Sequence, residues 1–181
     1  MGKEVEIMKK KQITDLSTGI ILVAISVIIL MFPTFKITNV KYILGISLIL
    51  YTLVNFIKYI ITHESKDKEG LYTALISLAI ALIVFFSDMS KPKNLALTLF
   101  SFVILMVIMR IIKADYYHDR HNKMWMLEVV SLILFMLAGY LTCVNLYYSA
   151  DIQIIVLGFF FFINGMFEIY DPIIIGYIRG R

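Results

Sequence analysis

Long apolar runs separated by short polar segments make up most of the chain. The runs are continuous rather than alternating, which predicts helices, because the strands of a membrane barrel alternate apolar and polar residues. Most runs are close to the roughly 20 residues with which a helix crosses a hydrocarbon layer. The six predicted spans are residues 16–32, 40–61, 71–86, 95–112, 124–148 and 152–170. We therefore predict an all-α, polytopic membrane protein with six transmembrane helices in a single domain, residues 1–181.

Composition agrees with this pattern. The chain is 60% hydrophobic and only 17% charged, whereas about a quarter of the residues of a soluble domain are charged. The lysines near the N-terminus and the apolar run after them resemble a signal sequence. However, Pro33, Thr34 and Phe35 at the end of the run offer no cleavage site of small residues, so we expect the run to remain as the first helix.

The 17 Lys and Arg residues predict the orientation. Thirteen lie in the N-terminal segment, at the second and fourth connections and in the C-terminal tail: Lys3, Lys9, Lys10, Lys11, Lys58, Lys66, Lys68, Arg110, Lys113, Arg120, Lys123, Arg179 and Arg181. The other four are Lys36, Lys41, Lys91 and Lys93. Cytoplasmic segments carry the excess of positive charge, so we expect both termini in the cytoplasm. The dispersed basic residues favour contact with anionic lipid headgroups, in addition to the bilayer itself, over nucleic-acid binding.

Small residues recur along the chain and suggest three repeated helical hairpins, residues 14–62, 70–114 and 124–172. They are spaced by seven, which is about two helical turns, so they form stripes that let helices approach closely in lipid. Leu44-Gly45 matches Leu157-Gly158 in the third hairpin, and Thr52 then falls on Gly165. The predicted packing residues are Gly19, Ser26, Pro33, Gly45, Thr52, Gly158 and Gly165. The alternative is chance similarity among helices rich in Leu and Ile.

These motifs resemble those of the HdeD family of small bacterial inner-membrane proteins. The first helix has Gly19-x6-Ser26-x6-Pro33 where the family has Gly-x6-Gly-x6-Pro. The sixth has Leu157-Gly158 followed by Gly165-Met166-Phe167-Glu168, where the family has Leu-Gly-x6-Gly-Ile-x-Glu. The chain departs from the pattern at Ser26, Thr52 and Asn55, which replace Gly, Gly and Glu. The resemblance covers residues 14–172 and implies a six-helix protein of the cytoplasmic membrane, linked to acid resistance in the enterobacterial member, with no established enzymatic activity.

Polar residues near the cytoplasmic ends of the helices form a candidate cluster. Asn55, Arg110 and Glu168 occupy similar places about one turn from the ends of the even-numbered helices. We hypothesise that Arg110 pairs with Glu168 near Asn55, because ionisable side chains in a membrane are costly unless paired or hydrated. The alternative is that both extend separately to the headgroups. Glu128 lies one turn into the fifth helix and either lines a vestibule or interacts with the helix dipole.

The remaining candidate chemistry is sparse. His118 and His121 are three residues apart and could bind a metal or respond to cytoplasmic acidification, whereas a charged loop also collects such residues without a role. Cys143 is the single cysteine, so it forms no internal disulfide. We expect no catalytic residues, metal or cofactor, because the chain has none of the usual phosphate-binding, hydrolase or metalloprotease motifs.

Two functions remain open on the sequence. The first is a non-enzymatic membrane protein of the HdeD type that assists acid or envelope stress tolerance. The second is a small transporter or channel for protons, ions or small solutes, for which the internal repeat is the main support. A polar path near the bilayer centre would favour transport, and a dry bundle would favour the first function. Whether the protein forms a homo-oligomer is also open.

Overall fold

The computed structural model describes residues 2–37, 39–62, 68–119, 124–147 and 149–179, and these fold into helices joined by short connections. The six α-helices are α1 (Gly2–Met31), α2 (Val40–Thr62), α3 (Glu69–Phe86), α4 (Pro92–Asp119), α5 (Met124–Asn145) and α6 (Ala150–Arg179). A 3-10 helix, Phe32–Phe35, follows α1 and ends at Lys36, whose positive φ of 58° turns the chain toward α2. The described residues contain no strand.

The prediction of six spans is confirmed. Six helices are long and apolar enough to cross a membrane: Ile13–Phe35, Val40–Thr62, Glu69–Phe86, Pro92–Ile112, Glu128–Asn145 and Ala150–Tyr170. Several helices continue beyond the predicted limits. The helix α1 begins at Gly2, and α4 runs on to Asp119. The helix α6 continues through Pro172 to Arg179. The fifth helix is shorter than predicted and ends at Asn145.

The helices form a closed ring. Each helix packs against its neighbours in sequence, and α6 returns to pack against α1, which is the most extensive contact of all. The pairs α2–α3 and α4–α5 are also extensive, whereas α1–α2, α3–α4 and α5–α6 touch over smaller areas. The two helices within each predicted hairpin are thus in less extensive contact than the helices that join one hairpin to another. The reason lies in the small residues, since Gly19 on α1 faces Gly165 on α6 and Gly70 on α3 faces the backbone of α2.

Aromatic and aliphatic side chains fill the interior. Tyr51, Phe102, Phe135, Phe160 and Phe161 are almost completely buried. The rings of Tyr51 and Phe102 meet edge-on at 6.3 Å, and those of Phe135 and Phe160 lie 5.5 Å apart. Outside this core, large apolar side chains are exposed on all six helices, as expected where the solvent is lipid.

We call the end of the bundle that holds the start of α1 and the end of α2 the basic end, because thirteen of the basic residues are expected there. The end of α4, the start of α5 and the end of α6 lie at the same end, as the contacts of Lys58 and Arg110 show. The opposite end holds the 3-10 helix, the connection 87–91 and the turn at 146–147 that follows α5.

Candidate functional site

A buried lysine links three helices near the basic end. Lys58 of α2 has only 4% of its side chain exposed, and its Nζ lies 2.7 Å from Asp15 Oδ1 of α1. The same Nζ donates to Glu168 Oε2 of α6 at 3.4 Å. The two carboxylates are 14% and 15% exposed. These three residues, which we call the Lys58 triad, connect the first two helices to the last.

Helical spacing explains why Lys58 points inward. Tyr51, Asn55 and Lys58 are separated by four and three residues, so they share one face of α2. All three are buried. The neighbouring residues Phe56, Ile57 and Ile60 are exposed to the surroundings. The side chain of Lys58 therefore lies within the bundle, where two carboxylates compensate its charge.

Arg110 of α4 occupies a second buried polar site. Its Nη1 donates to Ser131 Oγ of α5 at 2.8 Å, and its Nη2 donates to Asn164 Oδ1 of α6 at 3.2 Å. The guanidinium also lies over the rings of Phe135 and Phe167, 4.9 and 5.5 Å from their centres. Such stacking is favourable for a planar cation. The arginine is 7% exposed, and its hydrogen bonds join α4, α5 and α6.

Tyr51 connects the two sites. Its hydroxyl is completely buried beside the amide of Asn164 and within electrostatic range of Glu168 and Arg110. Tyr51 Oη, Asn164 Nδ2 and Arg110 Nε find no hydrogen-bond partner among the described residues. Buried polar atoms of this kind are usually satisfied by water. The Lys58 triad thus has a second buried cation, Arg110, as a neighbour.

The whole arrangement lies in one part of the membrane. Counting from the ends of the spans at about 1.5 Å per residue, Asp15 and Arg110 lie about 3 Å inside, Lys58 about 6 Å and Asn164 about 9 Å. The hydrocarbon layer is about 30 Å thick. The charged side chains therefore occupy the third of the layer nearest the basic end, and the buried rings of Phe102 and Phe160, about 15 Å inside by the same count, lie near its middle.

The structure gives Arg110 and Glu168 different partners from the predicted ones. The carboxylate of Glu168 contacts Lys58, and Arg110 is bound by the neutral groups of Ser131 and Asn164. The physical reason is the position of Lys58, whose ammonium lies 3.4 Å from Glu168 and comes closer to it than the guanidinium of Arg110 does. Asn55 is buried but donates to the carbonyl of Tyr51 in its own helix at 2.9 Å. Glu128, 2% exposed, lies one turn before Ser131 on α5.

Sequence reasoning missed Asp15 and Lys58. Lys58 counts there among the basic residues of the second connection, because it is close to the end of an apolar run, and Asp15 is not among the candidates. The signal for Lys58 is present nevertheless, since it lies between apolar residues and three positions after Asn55. Nothing in the sequence marks Asp15 as its partner, because that depends on how α1 and α2 lie against each other. His121 and the side chain of His118 are outside the described residues, so the metal and pH hypotheses for them stay predictions.

The predicted packing residues lie at helix contacts. A Cβ atom on Gly19 would come within 2.8 Å of the Gly165 carbonyl, and one on Gly165 within 2.9 Å of the Val23 amide nitrogen. Gly45 faces the ring of Phe85, and Gly158 faces Leu30.

The polar members of the stripe are bonded within the bundle. Ser26 is buried and donates to Val23 O at 2.7 Å. Thr52 donates to Leu48 O and lies 2.9 Å from the Ser77 hydroxyl of α3. Pro33 opens the 3-10 helix.

At the opposite end a carboxylate is held locally. The pKa of Asp88 lies below its usual value, chiefly because the Ser90 hydroxyl and the Ser90 backbone N–H both donate to it. The backbone bond is 3.0 Å long. Nearby, Lys41 Nζ donates to Ser87 O at 3.1 Å. These contacts fix the connection between α3 and α4 at the surface.

Comparison with known proteins gives one match. Residues 17–86 match a family model described as a short repeat of unknown function (DUF308). The matched segment covers the second half of α1, all of α2 and all of α3. It thus includes Lys58 and ends before Arg110 and Glu168. No curated protein and no solved structure matches the chain.

Proposed function

We propose that this chain is a non-enzymatic, multi-pass protein of a bacterial inner membrane that supports tolerance of acid or envelope stress. Both termini are cytoplasmic in this proposal, because the basic end carries most of the Lys and Arg residues. The match of residues 17–86 to the short-repeat family and the resemblance of the Gly and Leu motifs to HdeD proteins support it. The Lys58 triad is the observation that gives it a mechanism.

The Lys58 triad is suited to respond to acid because it balances charge between helices. At neutral pH the ammonium of Lys58 attracts Asp15 on α1 and Glu168 on α6. Protonation of either carboxylate leaves the ammonium of Lys58 with less compensation in a region of low dielectric constant. Glu69 at the start of α3 also lies within electrostatic range of Asp15. Acidification therefore weakens the connection of α2 to α1 and α6.

The proposal is tested by acid survival of a bacterial host that lacks its own short-repeat proteins. Cells that produce the wild-type chain should survive an acid challenge better than cells with an empty vector. The triple variant Asp15→Asn, Lys58→Met, Glu168→Gln removes the titratable triad together with its cation, and it should give no protection. The control Asp88→Asn changes an exposed carboxylate at the opposite end and should protect like the wild type. The proposal is wrong if the wild type gives no protection, or if the triple variant protects equally at equal membrane abundance.

One observation favours a second function, the transport of protons, ions or small solutes. Three buried polar atoms have no hydrogen-bond partner among the described residues: Tyr51 Oη, Asn164 Nδ2 and Arg110 Nε. Polar groups along a hydrated path would have the same property. Against transport, the bundle beyond them is filled by apolar side chains such as Phe102, and Ser47 and Thr142 bond to carbonyls of their own helices. Proton and ion flux into sealed liposomes at about pH 7 and about pH 5, compared with empty liposomes, decides between the two functions.

A further inference from the structure

The contact between α1 and α2 is open along its length. This pair touches over a smaller area than α1–α6 or α2–α3, and two cavities lie along it. The cavity in the basic half measures about 300 Å³, and the one in the opposite half about 230 Å³. We call the first cavity the α1/α2 groove; its wall on α1 includes Ile13, Ser17 and Ile21, and its wall on α2 includes Val54, Ile57 and Ile61.

The groove is apolar although hydroxyl groups line it. Ser17 and Thr18 both donate to carbonyls one turn earlier in α1, at 2.8 Å each, so their single O–H donors are already used. Lys58 also contributes to the wall, but its ammonium is held by the triad. The exposed parts of Ile13, Ile57 and Ile61 form the rim. An apolar groove on the outside of a membrane-spanning bundle is filled by hydrocarbon, because lipid chains are the medium that surrounds it.

The sequence of α1 just before the groove points to one class of lipid. The helix α1 continues outward from Ile13 without interruption to Gly2, and its sequence there contains Lys9, Lys10 and Lys11. Lys11 is only two residues, or about 3 Å of helix, beyond Ile13. Three adjacent lysines at the level of the headgroups attract phosphate, and each basic residue near an anionic surface strengthens binding measurably.

We propose that the α1/α2 groove binds an anionic phospholipid of the leaflet at the basic end, with one acyl chain between α1 and α2 and its phosphate at Lys9–Lys11. The site is independent of any acid response, since it requires only that the helices span a membrane. Its shape comes from the loose α1–α2 contact, and its selectivity comes from the lysines.

Quenching of tryptophan by brominated lipids tests this directly. The chain has a single tryptophan, so Trp125→Phe provides a background in which Ile57→Trp places the only indole at the rim of the groove. The control is Ile108→Trp on α4, where the replaced residue is also exposed and lies within about one turn of the same depth. Each variant is reconstituted in mixtures of phosphatidylcholine and phosphatidylglycerol, with bromine on the chains of one lipid at a time. Ile21→Trp is a second reporter in case Ile57→Trp fails to fold, as judged by gel filtration and circular dichroism.

We expect brominated phosphatidylglycerol to reach half-maximal quenching of the groove reporter at a mole fraction at least about fivefold lower than brominated phosphatidylcholine. A difference in affinity of about fivefold is what one lysine near the lipid phosphate contributes. The control should show no such preference. Changing Lys9, Lys10 and Lys11 together to Gln should remove the preference at the groove. Equal quenching by the two lipids at the groove, an equal preference at Ile108→Trp, or a preference that survives the triple Lys→Gln change would each overturn the proposal.

Discussion

The ammonium of Lys58 lies 2.7 Å from the carboxylate of Asp15, so an ion pair attaches the second helix to the first, and these two helices touch over a smaller area than α1–α6 or α2–α3. The same ammonium reaches Glu168 on α6. Around most of the ring, glycine contacts and aromatic packing hold adjacent helices together. Between α1 and α2 this role falls in large part to charge, which makes the contact dependent on protonation and leaves space for lipid beside it.

Removal of the buried cation should be costly. Lys58→Met leaves two carboxylates in a poorly solvated place, and loss of one partner from such a pair costs about 3 kcal/mol or more. We expect the free energy of unfolding in detergent to fall by about that amount. The triple variant with Asp15→Asn and Glu168→Gln should recover most of it, because no uncompensated charge remains. Lys93→Met, at an exposed position, should change stability by less than about 0.5 kcal/mol. Denaturant titration followed by circular dichroism measures all four proteins.

Double-mutant cycles should separate the two ion sites. Lys58 and Glu168 are in direct contact, so Lys58→Met and Glu168→Gln should show a coupling energy of about 1 kcal/mol or more. Arg110 is bound by Ser131 and Asn164 instead. The combination of Arg110→Ala with Glu168→Gln should therefore be additive within about 0.5 kcal/mol. A large coupling in the second cycle, with none in the first, would mean that Glu168 pairs with Arg110 after all.

Two glycine substitutions on α6 should differ in cost. A methyl group on Gly165 meets backbone atoms of α1, the Val23 nitrogen at 2.9 Å and the Gly19 oxygen at 3.0 Å. Backbone cannot move aside locally, so Gly165→Ala should force α1 and α6 apart and cost about 1–3 kcal/mol. In Gly158→Ala the methyl meets the side chain of Leu30, which can change its rotamer. The midpoint of thermal unfolding in detergent should therefore be closer to the wild-type value for Gly158→Ala than for Gly165→Ala. A lower midpoint for Gly158→Ala would contradict the α1–α6 contact described above.

Asp88 should stay ionised until the solution is strongly acidic. Because hydrogen bonds from Ser90 lower its pKa below the usual 3.8, whatever stability these bonds provide is complete above that value and is lost as the pH falls through the lower, folded pKa. Titration of the Asp88 carboxyl signal by NMR should show this, and Ser90→Ala should shift the pKa upward. A midpoint above 3.8 in the wild type would contradict the described contacts. Asp88 thus makes no contribution to a response at about pH 5.

The number and approximate positions of the spans could be predicted from sequence because lipid imposes length and apolarity on each helix separately. Gly19 and Gly165 were likewise predictable as packing positions from their spacing. The partners of the charged residues were not, since they depend on which helices are adjacent once the ring closes. The contact of α6 with α1 brings Glu168 close to Lys58, and no local pattern in either helix contains that information. Arg110 was correctly singled out as a polar residue near a helix end, but its neutral partners on α5 and α6 follow only from the packing.

The most direct test of the account is the distance between α2 and α6 as a function of pH. Spin labels at Ile60→Cys and Tyr170→Cys, in a Cys143→Ser background, lie on exposed positions near the basic end. If protonation of the triad weakens the connection, electron paramagnetic resonance should show a longer and broader distance at about pH 4.5 than at about pH 7.5. The reference pair Ile60→Cys and Tyr72→Cys, on the tightly packed α2 and α3, should not change. The triple triad variant should show no pH dependence. An identical α2–α6 distance at both pH values in the wild type would contradict the central claim that the Lys58 triad is the acid-responsive element.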